Sequence, residues 1–280
     1  VVDKLLKFLG RSPVKPLRRR AVSKAERWVL DHQDVNGGWG GIQPAMLNSV
    51  MALHSLGYPH DHPAVAKGIQ AIEDFLMETA GHLFFQPCIS PLWDTVWAIK
   101  ALIDSGFPTD HPVITKAANW IIDNQIFKTG DWQIKNPELE PGGWAFEFAN
   151  DWYPDIDDSA VILFTLKRVT GLDEHKKDHA IARGLNWTLG MQSRNGGWGA
   201  FDTDNILDVW NQMPFGDMKA MIDPPTADLT GRLLEMMGTF SYVRDFRRAR
   251  RGLVFLREVQ ELDGSWWGRW GANFVYGTWS

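Results

Sequence analysis

Apolar residues recur at helical spacing in four segments of the chain, and each segment leads into the same polar ending. In each, an aromatic residue is followed five positions later by Gln, and then by Gly and Trp. Apolar positions on one helical face predict an amphipathic helix, and the glycines predict its end. The four segments read AERWVLDHQDVNGGW, KAANWIIDNQIFKTGDW, RGLNWTLGMQSRNGGW and RGLVFLREVQELDGSW.

A second repetition predicts that further helices lie between these four. The segment GYPHDHPAVAKG, from Gly57, returns as GFPTDHPVITKA, from Gly106. Pro63 and Pro112 suit the first turn of a helix. His62 and His111, directly before them, are predicted as caps. The segments SPLWDTVWAIKALIDSG, DIDDSAVILFTLKRV and DLTGRLLEMMG also have helical periodicity, so the repeating unit is predicted to be helix, turn, helix.

The chain shows no segment with the alternation typical of a strand, which predicts an all-α fold. Stacked helix pairs form an open solenoid or close into a double ring of inner and outer helices. The amide of each repeated Gln can bond to a neighbouring backbone, while a Trp packs over the junction. The tryptophans predicted to have such structural roles are Trp28, Trp39, Trp120, Trp132, Trp187, Trp198 and Trp266.

Composition removes several classes of function. The 280 residues, 44% of them hydrophobic, can bury a sizeable core. The net charge of -5, without a run of basic and aromatic residues, excludes nucleic acid as a partner. One cysteine, Cys88, excludes an internal disulfide, and the eight histidines lack zinc-site spacing. We therefore predict no metal and no cofactor; no apolar run reaches the roughly 18 residues of a membrane span.

Three carboxylates lie together at the start of an apolar helical pattern over residues 160–169. Asp155, Asp157 and Asp158 occur within YPDIDDSAVILFTL. Taken alone, such a triplet is more often a helix N-cap with solvated neighbours. A carboxyl beside other carboxylates nevertheless tends to keep its proton, and a helix N-terminus stabilises the conjugate base once the proton leaves. The triplet is therefore a candidate Brønsted acid.

The repeated segments resemble the QW repeats of triterpene cyclases. DIDDSA resembles the DxDDTA acid motif of squalene-hopene cyclases, with Ser159 in place of Thr. Further similar segments follow in the family's order: GGWGGIQP, CISPLWDT, PGGWAFEF, NGGWGAFDTDN, DPPTADLTGRLLE and GSWWGRWGANFVYGT. The resemblance implies parts of two α/α barrel domains, each a double ring of helices, within a longer chain. Residues 1–88 would end the second, non-catalytic barrel, beginning with a membrane-associated amphipathic segment, and residues 89–280 would form the first half of the catalytic barrel.

The same resemblance implies an isomerase that cyclises squalene to hopene or hopanol through carbocations, in hopanoid biosynthesis. The family's proton donor corresponds to Asp157, and Asp155 and Asp158 would hold and polarise it. Arg232 stands where many family members have His, and is expected to keep Asp155 ionised because Arg stays protonated. Asp228, one helical turn before Arg232, would complete the network.

Aromatic residues are the implied lining of the cavity. Aromatic faces stabilise cations by roughly 0.5 to 2 kcal/mol without acting as bases. Phe201 departs from the Tyr often found at its position. The resemblance places Tyr276 in the water network that reprotonates the acid. It also implies that Asp94 supports the neighbouring Trp93 and that Gln43 polarises the water that ends the cascade. The implied cavity-facing aromatics are Trp93, Phe146, Phe201 and Trp270.

The first twenty residues predict an amphipathic basic helix. VVDKLLKFLGRSPVKPLRRR places Val1, Val2, Leu5, Leu6, Phe8 and Leu9 on one broad face. Such a helix suits a membrane surface, although a plain surface helix fits the pattern as well. The resemblance implies a monotopic protein on the cytoplasmic face of the bacterial inner membrane, with squalene as its lipid substrate. A homodimer is possible.

Several alternatives stay open at this point. Another class II terpene cyclase would act on a diterpenoid diphosphate or a regular polyprene. An oxidosqualene cyclase is disfavoured, because epoxide opening needs a weaker acid and that group has a different aspartate motif. A helical toroid that only binds ligands would not need Asp157, and a carbohydrate-processing α/α barrel would use paired carboxylates on sugars. The chain alone is expected to be inactive and poorly stable, because half a barrel leaves apolar faces uncovered.

Overall fold

The computed structural model describes Lys4, Lys7 and residues 17–212, 221–240, 247–270 and 274–280. The amphipathic face predicted for the first twenty residues lies outside this part of the chain. None of the helices within it is long and apolar enough to cross a membrane. The chain divides into two compact units. The first comprises Val1–Ser90, Glu147–Asn150 and Val209–Met221, and the second Pro91–Phe146, Asp151–Asp208 and Ile222–Ser280.

Within residues 17–90, the first unit has three helices and a hairpin. Its α2 packs against α1 and α3 around a small core that includes Trp39, Met46 and Phe75. Pro63 opens α3, and the His62 ring accepts a hydrogen bond from the Ala64 N–H, so the predicted cap is confirmed. The elements are α1 (Arg18–Asp31), α2 (Gln43–Ser55), α3 (Pro63–Glu73), β1 (Leu76–Thr79) and β2 (His82–Phe85).

The hairpin corrects the prediction that the chain has no strands. Leu76 pairs with Phe85, and Thr79 pairs with His82 across the turn. Ala80 and Gly81 form the turn with φ of 52° and 77°, and positive φ at both central residues is what a two-residue hairpin turn requires. Every residue of both strands is exposed, so there is no buried face to produce an alternating pattern.

The second unit arranges its helices in two rows. The inner helices α4, α6, α8 and α10 pack against one another in succession, and the outer helices α5, α7 and α9 each pack on the inner helix before them. This is the arrangement of an α/α barrel, and it confirms the all-α prediction. Inner helix α6 is buried along its whole length. The bounds are α4 (Pro91–Asp104), α5 (Pro112–Asp123), α6 (Ile156–Leu166), α7 (Glu174–Gly190), α8 (Ala227–Thr239), α9 (Arg247–Glu258) and α10 (Phe274–Trp279), with 3-10 turns at Asp131–Ile134 and Asp208–Gln212.

The repeated glutamines tie the end of one helix to the next helix of the same row. Gln125, after α5, donates to the carbonyl of Ala180 on α7 at 2.9 Å. Gln192, after α7, donates to the carbonyl of Arg248 on α9 at 2.9 Å. Gln33 makes the equivalent bond in the first unit. These bonds confirm the predicted structural role of the glutamines.

The prediction that Trp132 packs over the junction in the second repeat is wrong, because Trp144 occupies that position. In the other repeats the indole N–H of Trp39, Trp198 or Trp266 donates back to the helix before the Gln. In the second repeat Trp144 makes this bond, to the Ile121 carbonyl at 2.8 Å. The reason is an insertion: Gln125 bonds to Gly142, 17 residues away, rather than to a residue 4 away as in the other repeats.

Two of the tryptophans that were predicted to pack over helix junctions have different surroundings. Trp132 belongs to the core, where it packs edge-on against Trp187 at 5.9 Å between ring centres. Trp28 was predicted as a core residue, but 45% of it is exposed and its ring stacks on His32. An amphipathic pattern alone does not distinguish an aromatic residue at the edge of a buried face from one at its centre.

Candidate active site

The three clustered aspartates lie at the N-terminus of inner helix α6. Asp155 is the N-cap, and its carboxylate accepts hydrogen bonds from the N–H groups of Asp157 at 2.7 Å and Asp158 at 3.4 Å. Its own N–H donates to the Trp144 carbonyl at 2.7 Å. The helix begins at Ile156 rather than at residue 160 as predicted, because this cap starts it earlier. Asp157 and Asp158 therefore occupy the first helical turn.

Ser159 fixes this turn to the preceding loop. Its hydroxyl donates to the Asp155 carbonyl at 2.7 Å and accepts from the Trp144 N–H at 2.9 Å. Thr230 accepts from the Trp198 N–H in the same way at the start of α8. The serine thus keeps the hydroxyl contact that a threonine makes in the neighbouring repeat, and its replacement of the motif's Thr leaves that contact intact.

All three carboxyl groups are almost completely buried. Asp155, Asp157 and Asp158 are 4%, 3% and 1% exposed. Burial raises the pKa of Asp157 to about 6, against the opposing charge of Arg232. Burial also raises the pKa values of Asp155 and Asp158 well above the ordinary range, and repulsion from Asp157 and Asp155 respectively adds to the effect. The cluster is therefore built to hold protons at a pH at which an exposed aspartate would be ionised.

Arg232 is the cation beside this cluster, and it pairs with Asp157 rather than with Asp155 as predicted. Its Nε forms an ion pair with the Asp157 carboxylate. The expected partner was Asp155, whose carboxylate is engaged in capping α6. The Arg232 guanidinium also donates to the Tyr276 hydroxyl at 2.9 Å. Arg232 is 5% exposed, so it connects the candidate acid on α6 to α10 inside the unit.

Three indole rings surround the Arg232 guanidinium. Its central carbon lies 5.4 Å from the Trp93 ring centre, 5.5 Å from Trp97 and 6.0 Å from Trp279. The sequence singled out only Trp93. Trp97 is one helical turn after Trp93 on α4, and Trp279 is three residues after Tyr276 on α10. Helical spacing from a predicted site residue was therefore the signal that could have found both.

Asp228 lies close to Asp157 but is engaged with the backbone. Its carboxylate accepts from the Thr226 hydroxyl and the Arg269 N–H, both at 2.6 Å, and from the Trp270 N–H at 3.4 Å. It therefore fixes the loop that carries Trp270. The charge of Asp228 also raises the pKa of Asp157, so the predicted electrostatic connection between these two residues is present.

An edge-to-face series of aromatic rings runs beside the helix start. The Phe201 ring centre lies 6.3 Å from those of Tyr153 and Trp270. Phe201 is held by Asp223, which accepts backbone N–H bonds from Ala200, Phe201 and Asp202 at 2.7 to 3.1 Å. Burial raises the pKa of Asp223. Tyr153 and Asp223 were not predicted as site residues, because neither falls in a sequence pattern with a chemical signature.

Phe146, Asp94 and Gln43 complete the set of predicted site residues. Phe146 is partly buried, two residues after Trp144, and Asp94 is exposed in the first turn of α4. Gln43 is the first residue of α2 in the first unit. Their predicted roles stay predictions. Within the described residues, no group of three or more His, Cys, Asp or Glu is arranged to hold a metal ion.

The arrangement combines features that a strong, protected Brønsted acid needs. A buried carboxyl holds its proton below pH 6, and a guanidinium can stabilise its conjugate base. Indole rings, which are not bases, surround the guanidinium that is paired with this carboxyl. Fold and site together define an α/α barrel protein with an internal acid site.

Comparison with known proteins then identifies the family. Residues 89–280 match the family model described as Squalene-hopene cyclase C-terminal domain, and residues 1–81 match Squalene-hopene cyclase N-terminal domain. The chain belongs to the squalene-hopene cyclase family.

Named relatives agree with this assignment. The chain is 43% identical over 278 residues to squalene–hopene cyclase from Alicyclobacillus acidocaldarius, covering 99% of the chain and 44% of the relative. It is 38% identical over 288 residues to squalene–hopene cyclase from Zymomonas mobilis, covering 100% and 44%. Dammaradiene synthase from Dryopteris crassirhizoma is 41% identical over 286 residues, covering 99% and 42%. The chain thus spans less than half the length of these relatives.

Proposed function

We propose that the complete protein, meaning the polypeptide that carries this chain, is an isomerase that protonates squalene and cyclises it to hopene or hopanol. The observation that carries this proposal is the buried Asp157 carboxyl, ion-paired with Arg232, whose guanidinium lies among three indole rings. Alkenes are very weak bases, so their protonation needs an acid that is both protonated and stronger than a carboxyl in water. Hopanoid biosynthesis is the role that follows from such a product.

Asp157 is the proton donor in this proposal. Burial keeps the proton on the carboxyl below pH 6. When the proton moves to the substrate, the Arg232 guanidinium and the N-terminus of α6 stabilise the carboxylate that remains. Asp155 holds the helix start in place, and protonated Asp158 limits the negative charge around the donor. The cluster therefore releases one proton without accumulating several adjacent charges.

Tyr276 is the group that connects the acid to its source of new protons. Its hydroxyl accepts a hydrogen bond from the Arg232 guanidinium at 2.9 Å and keeps its own proton free to donate. Burial and the nearby Asp157 raise its pKa, so the hydroxyl keeps its proton over the working pH range. A protonated hydroxyl can pass a proton towards Asp157 through water after each turnover.

The aromatic residues stabilise the carbocations that follow protonation. Trp93 lies against the Arg232 guanidinium, and Phe201 packs edge to face with Trp270. In this proposal all three line the cavity, because aromatic rings attract cations without removing their protons. Phe146 extends this lining, Asp94 supports Trp93, and Gln43 polarises the water that ends the cascade by deprotonation or addition. In this proposal residues 1–88 end the non-catalytic barrel and residues 89–280 begin the catalytic one, so turnover requires the complete protein.

A second candidate is a triterpene cyclase of the same family with a different product. The observation that favours it is the similarity to dammaradiene synthase, whose 41% identity is close to the 43% found for a squalene–hopene cyclase. The acid and its partners would be the same in both cases. Product analysis therefore distinguishes the two candidates, whereas loss of activity on mutation does not.

We also propose that the protein lies on the cytoplasmic surface of a membrane, where a lipid substrate is available. Support comes from the hairpin of the first unit, in which Leu83 is 68% exposed and Phe84 56%. Together with Leu76, Met77 and Phe85 these side chains form an exposed apolar group. Sedimentation of the complete protein with lipid vesicles tests this. Leu83→Ser and Phe84→Ser together should reduce the bound fraction, and unchanged binding would contradict a contribution of the hairpin.

The function itself is tested with the complete protein and squalene as substrate. Membranes containing the wild type are incubated with squalene, and the neutral lipids are analysed by mass spectrometry. Pentacyclic products from the wild type, none from Asp157→Asn, and normal yield from the control Asp178→Asn are expected. Asp178 is an exposed carboxylate on outer helix α7. Unconsumed squalene with the folded wild type would contradict the proposal, and a tetracyclic product would favour the second candidate.

A further inference from the structure

Among the described residues, Arg232 has few polar partners for a buried cation. Its polar contacts there are the Asp157 carboxylate and the Tyr276 hydroxyl. The rest of its surroundings include the three indole rings of Trp93, Trp97 and Trp279, within 5.4 to 6.0 Å of the guanidinium carbon. A long, flexible side chain with two polar contacts needs other contacts to fix its position. The indole rings are the groups available to do this.

Trp97 differs from the other two rings in the burial of its indole N–H, and it also packs edge-on against Trp93 at 5.5 Å between ring centres. It is partly buried on α4, and its indole Nε1 has no hydrogen-bond acceptor within the described part of the chain. An indole N–H normally finds a partner when it is buried. Lys100 Nζ also lies 5.6 Å from the Trp97 ring centre, but this ammonium is paired with Asp104 at 2.7 Å. The contact of Trp97 that leads to the acid site is its π-system against Arg232.

We propose that Trp97, supported by Trp279, is a positioning residue that holds the Arg232 guanidinium against the carboxyl group of Asp157. Trp93 shares this contact, but it is already assigned to the cavity lining. For its consequence in catalysis the inference rests on the proposed function; for the geometry of the Arg232–Asp157 pair it does not. An indole face can hold the cation without adding a hydrogen-bond acceptor that would compete with Asp157.

The proposal has a definite electrostatic consequence. The Arg232 charge opposes the effect of burial on Asp157, so a guanidinium that moves away leaves a carboxyl that ionises at higher pH. Other charges near Asp157 do not depend on Trp97 and stay constant in a Trp97 variant. The groups whose charge is coupled to that of Asp157 are Asp155 and Asp158 at the start of α6, Asp228 and Arg232 on α8, and Tyr276 on α10. Lys100 and Asp104, further along α4, form an ion pair with each other.

The first test measures the ionisation of Asp157 in the complete protein without substrate. The infrared carbonyl band that Asp157→Asn removes is followed against pH. The wild-type midpoint is expected near 6, and Trp97→Leu should raise it by about half a pH unit or more, as expected for loss of a cation–π contact. Trp97→Phe keeps an aromatic face and should shift it less. An unchanged midpoint in folded Trp97→Leu would overturn the proposal.

Trp132→Leu is the matched control for a loss of aromatic volume. Trp132 is also a buried indole whose Nε1 lacks an acceptor among the described residues, but it packs on Trp187 and not on Arg232. Its replacement should destabilise the protein and leave the Asp157 midpoint unchanged. An equal shift in both variants would mean that the effect is general loosening, and would also overturn the proposal. If Trp97→Leu does not fold, Trp279→Leu replaces it, since Trp279 is 67% exposed and its replacement should disturb the packing less.

The second test separates this inference from the proposed function. The pH profile of squalene turnover is measured for the same variants. Trp97→Leu should lower kcat on the acidic plateau and move the descending limb to higher pH, while a merely structural role would lower kcat at an unchanged midpoint and would contradict the proposal. If the infrared midpoint shifts but no variant, including wild type, consumes squalene, the positioning role stands and the proposed function fails.

Discussion

The N-termini of inner helices α6 and α8 are built on the same frame. In both, the residue before the helix pairs with a Trp of the preceding loop: Asp155 with Trp144, and Thr226 with Trp198. In both, a hydroxyl four residues after the cap, Ser159 or its counterpart on α8, accepts the N–H of that Trp. In both, the second helical residue is an aspartate that is at least nine-tenths buried.

The two aspartates differ in what surrounds them. Asp228 on α8 accepts three hydrogen bonds from a hydroxyl and two backbone N–H groups. Asp157 on α6 has the Arg232 ion pair instead, and its next neighbour is a third carboxyl, Asp158, where α8 has Leu229. The same frame thus supports a carboxylate that fixes a loop in one repeat and a proton-holding carboxyl in the next. The hydrogen-bond donors and charges around each aspartate, rather than its position in the repeat, decide whether it holds a proton.

Removing the cation should have the largest effect on this comparison. Arg232→Gln leaves Asp157 without the charge that stabilises its conjugate base, and breaking a buried pair costs about 3 to 5 kcal/mol. We expect squalene turnover by the complete protein to fall by about 100-fold or more, and the descending limb of the pH profile to move above 6. Arg232→Lys keeps the charge and should lose less. Equal turnover in Arg232→Gln and wild type would contradict a role for the ion pair.

Neutralising the structural aspartate should mainly cost stability. Asp228→Asn weakens charged hydrogen bonds to two backbone N–H groups, each worth about 1.5 to 3 kcal/mol. The urea midpoint of the complete protein should fall clearly, and a titration should show the Asp157 midpoint moving to lower pH, because the Asp228 charge raises the pKa of Asp157. Asp178→Asn, on the exposed face of α7, provides the control. A more stable Asp228→Asn would show that α6 and α8 do not differ as described.

Neutralising the third carboxyl of α6 should have the opposite effect on stability. Burial raises the pKa of Asp158, so the folded state binds its proton more tightly than the unfolded state. Stability is therefore lost as the pH rises through the unfolded pKa towards the folded one. Asp158→Asn removes this loss and should raise the thermal midpoint at pH 7, with little gain at pH 3.5. A lower midpoint at pH 7 would indicate that Asp158 is ionised in the fold.

The smallest effect is expected at the shared hydroxyl. Ser159→Ala removes the acceptor of the buried Trp144 N–H and should cost about 1 to 3 kcal/mol in urea unfolding. Ser159→Thr, which gives α6 the residue that α8 has at Thr230, keeps the acceptor and should cost less. If Thr costs as much as Ala, packing around Ser159 rather than its hydrogen bond dominates, and the frames of the two helices are less alike than they appear.

The helical framework was predictable from the sequence. Some predictions failed where the interacting residues are far apart along the chain. Periodicity and the prolines that open α3 and α5 locate helices well, because both act locally. The sequence did not predict that Trp144, rather than Trp132, completes the repeat of Gln125, because an insertion separates the two residues along the chain. The hairpin was missed because strands exposed on both faces leave no alternating signal.

The acid site was predictable in its members but not in its pairings. The motif identified Asp157 and Arg232, yet which aspartate Arg232 meets depends on the relative rotation of α6 and α8, which no local pattern contains. Trp97 was hidden for a different reason. An aromatic residue at helical spacing usually belongs to the core, so only its contact with Arg232 distinguishes it.

The most direct test of the account is the origin of the proton that starts the reaction. The complete protein is equilibrated in D2O and given squalene, and the isolated hydrocarbon product is analysed by mass spectrometry. Protonation by Asp157 predicts one non-exchangeable deuterium in each product molecule, and no labelled product from Asp157→Asn. Product without deuterium from the wild type, or labelled product from Asp157→Asn at the wild-type rate, would contradict Asp157 as the donor.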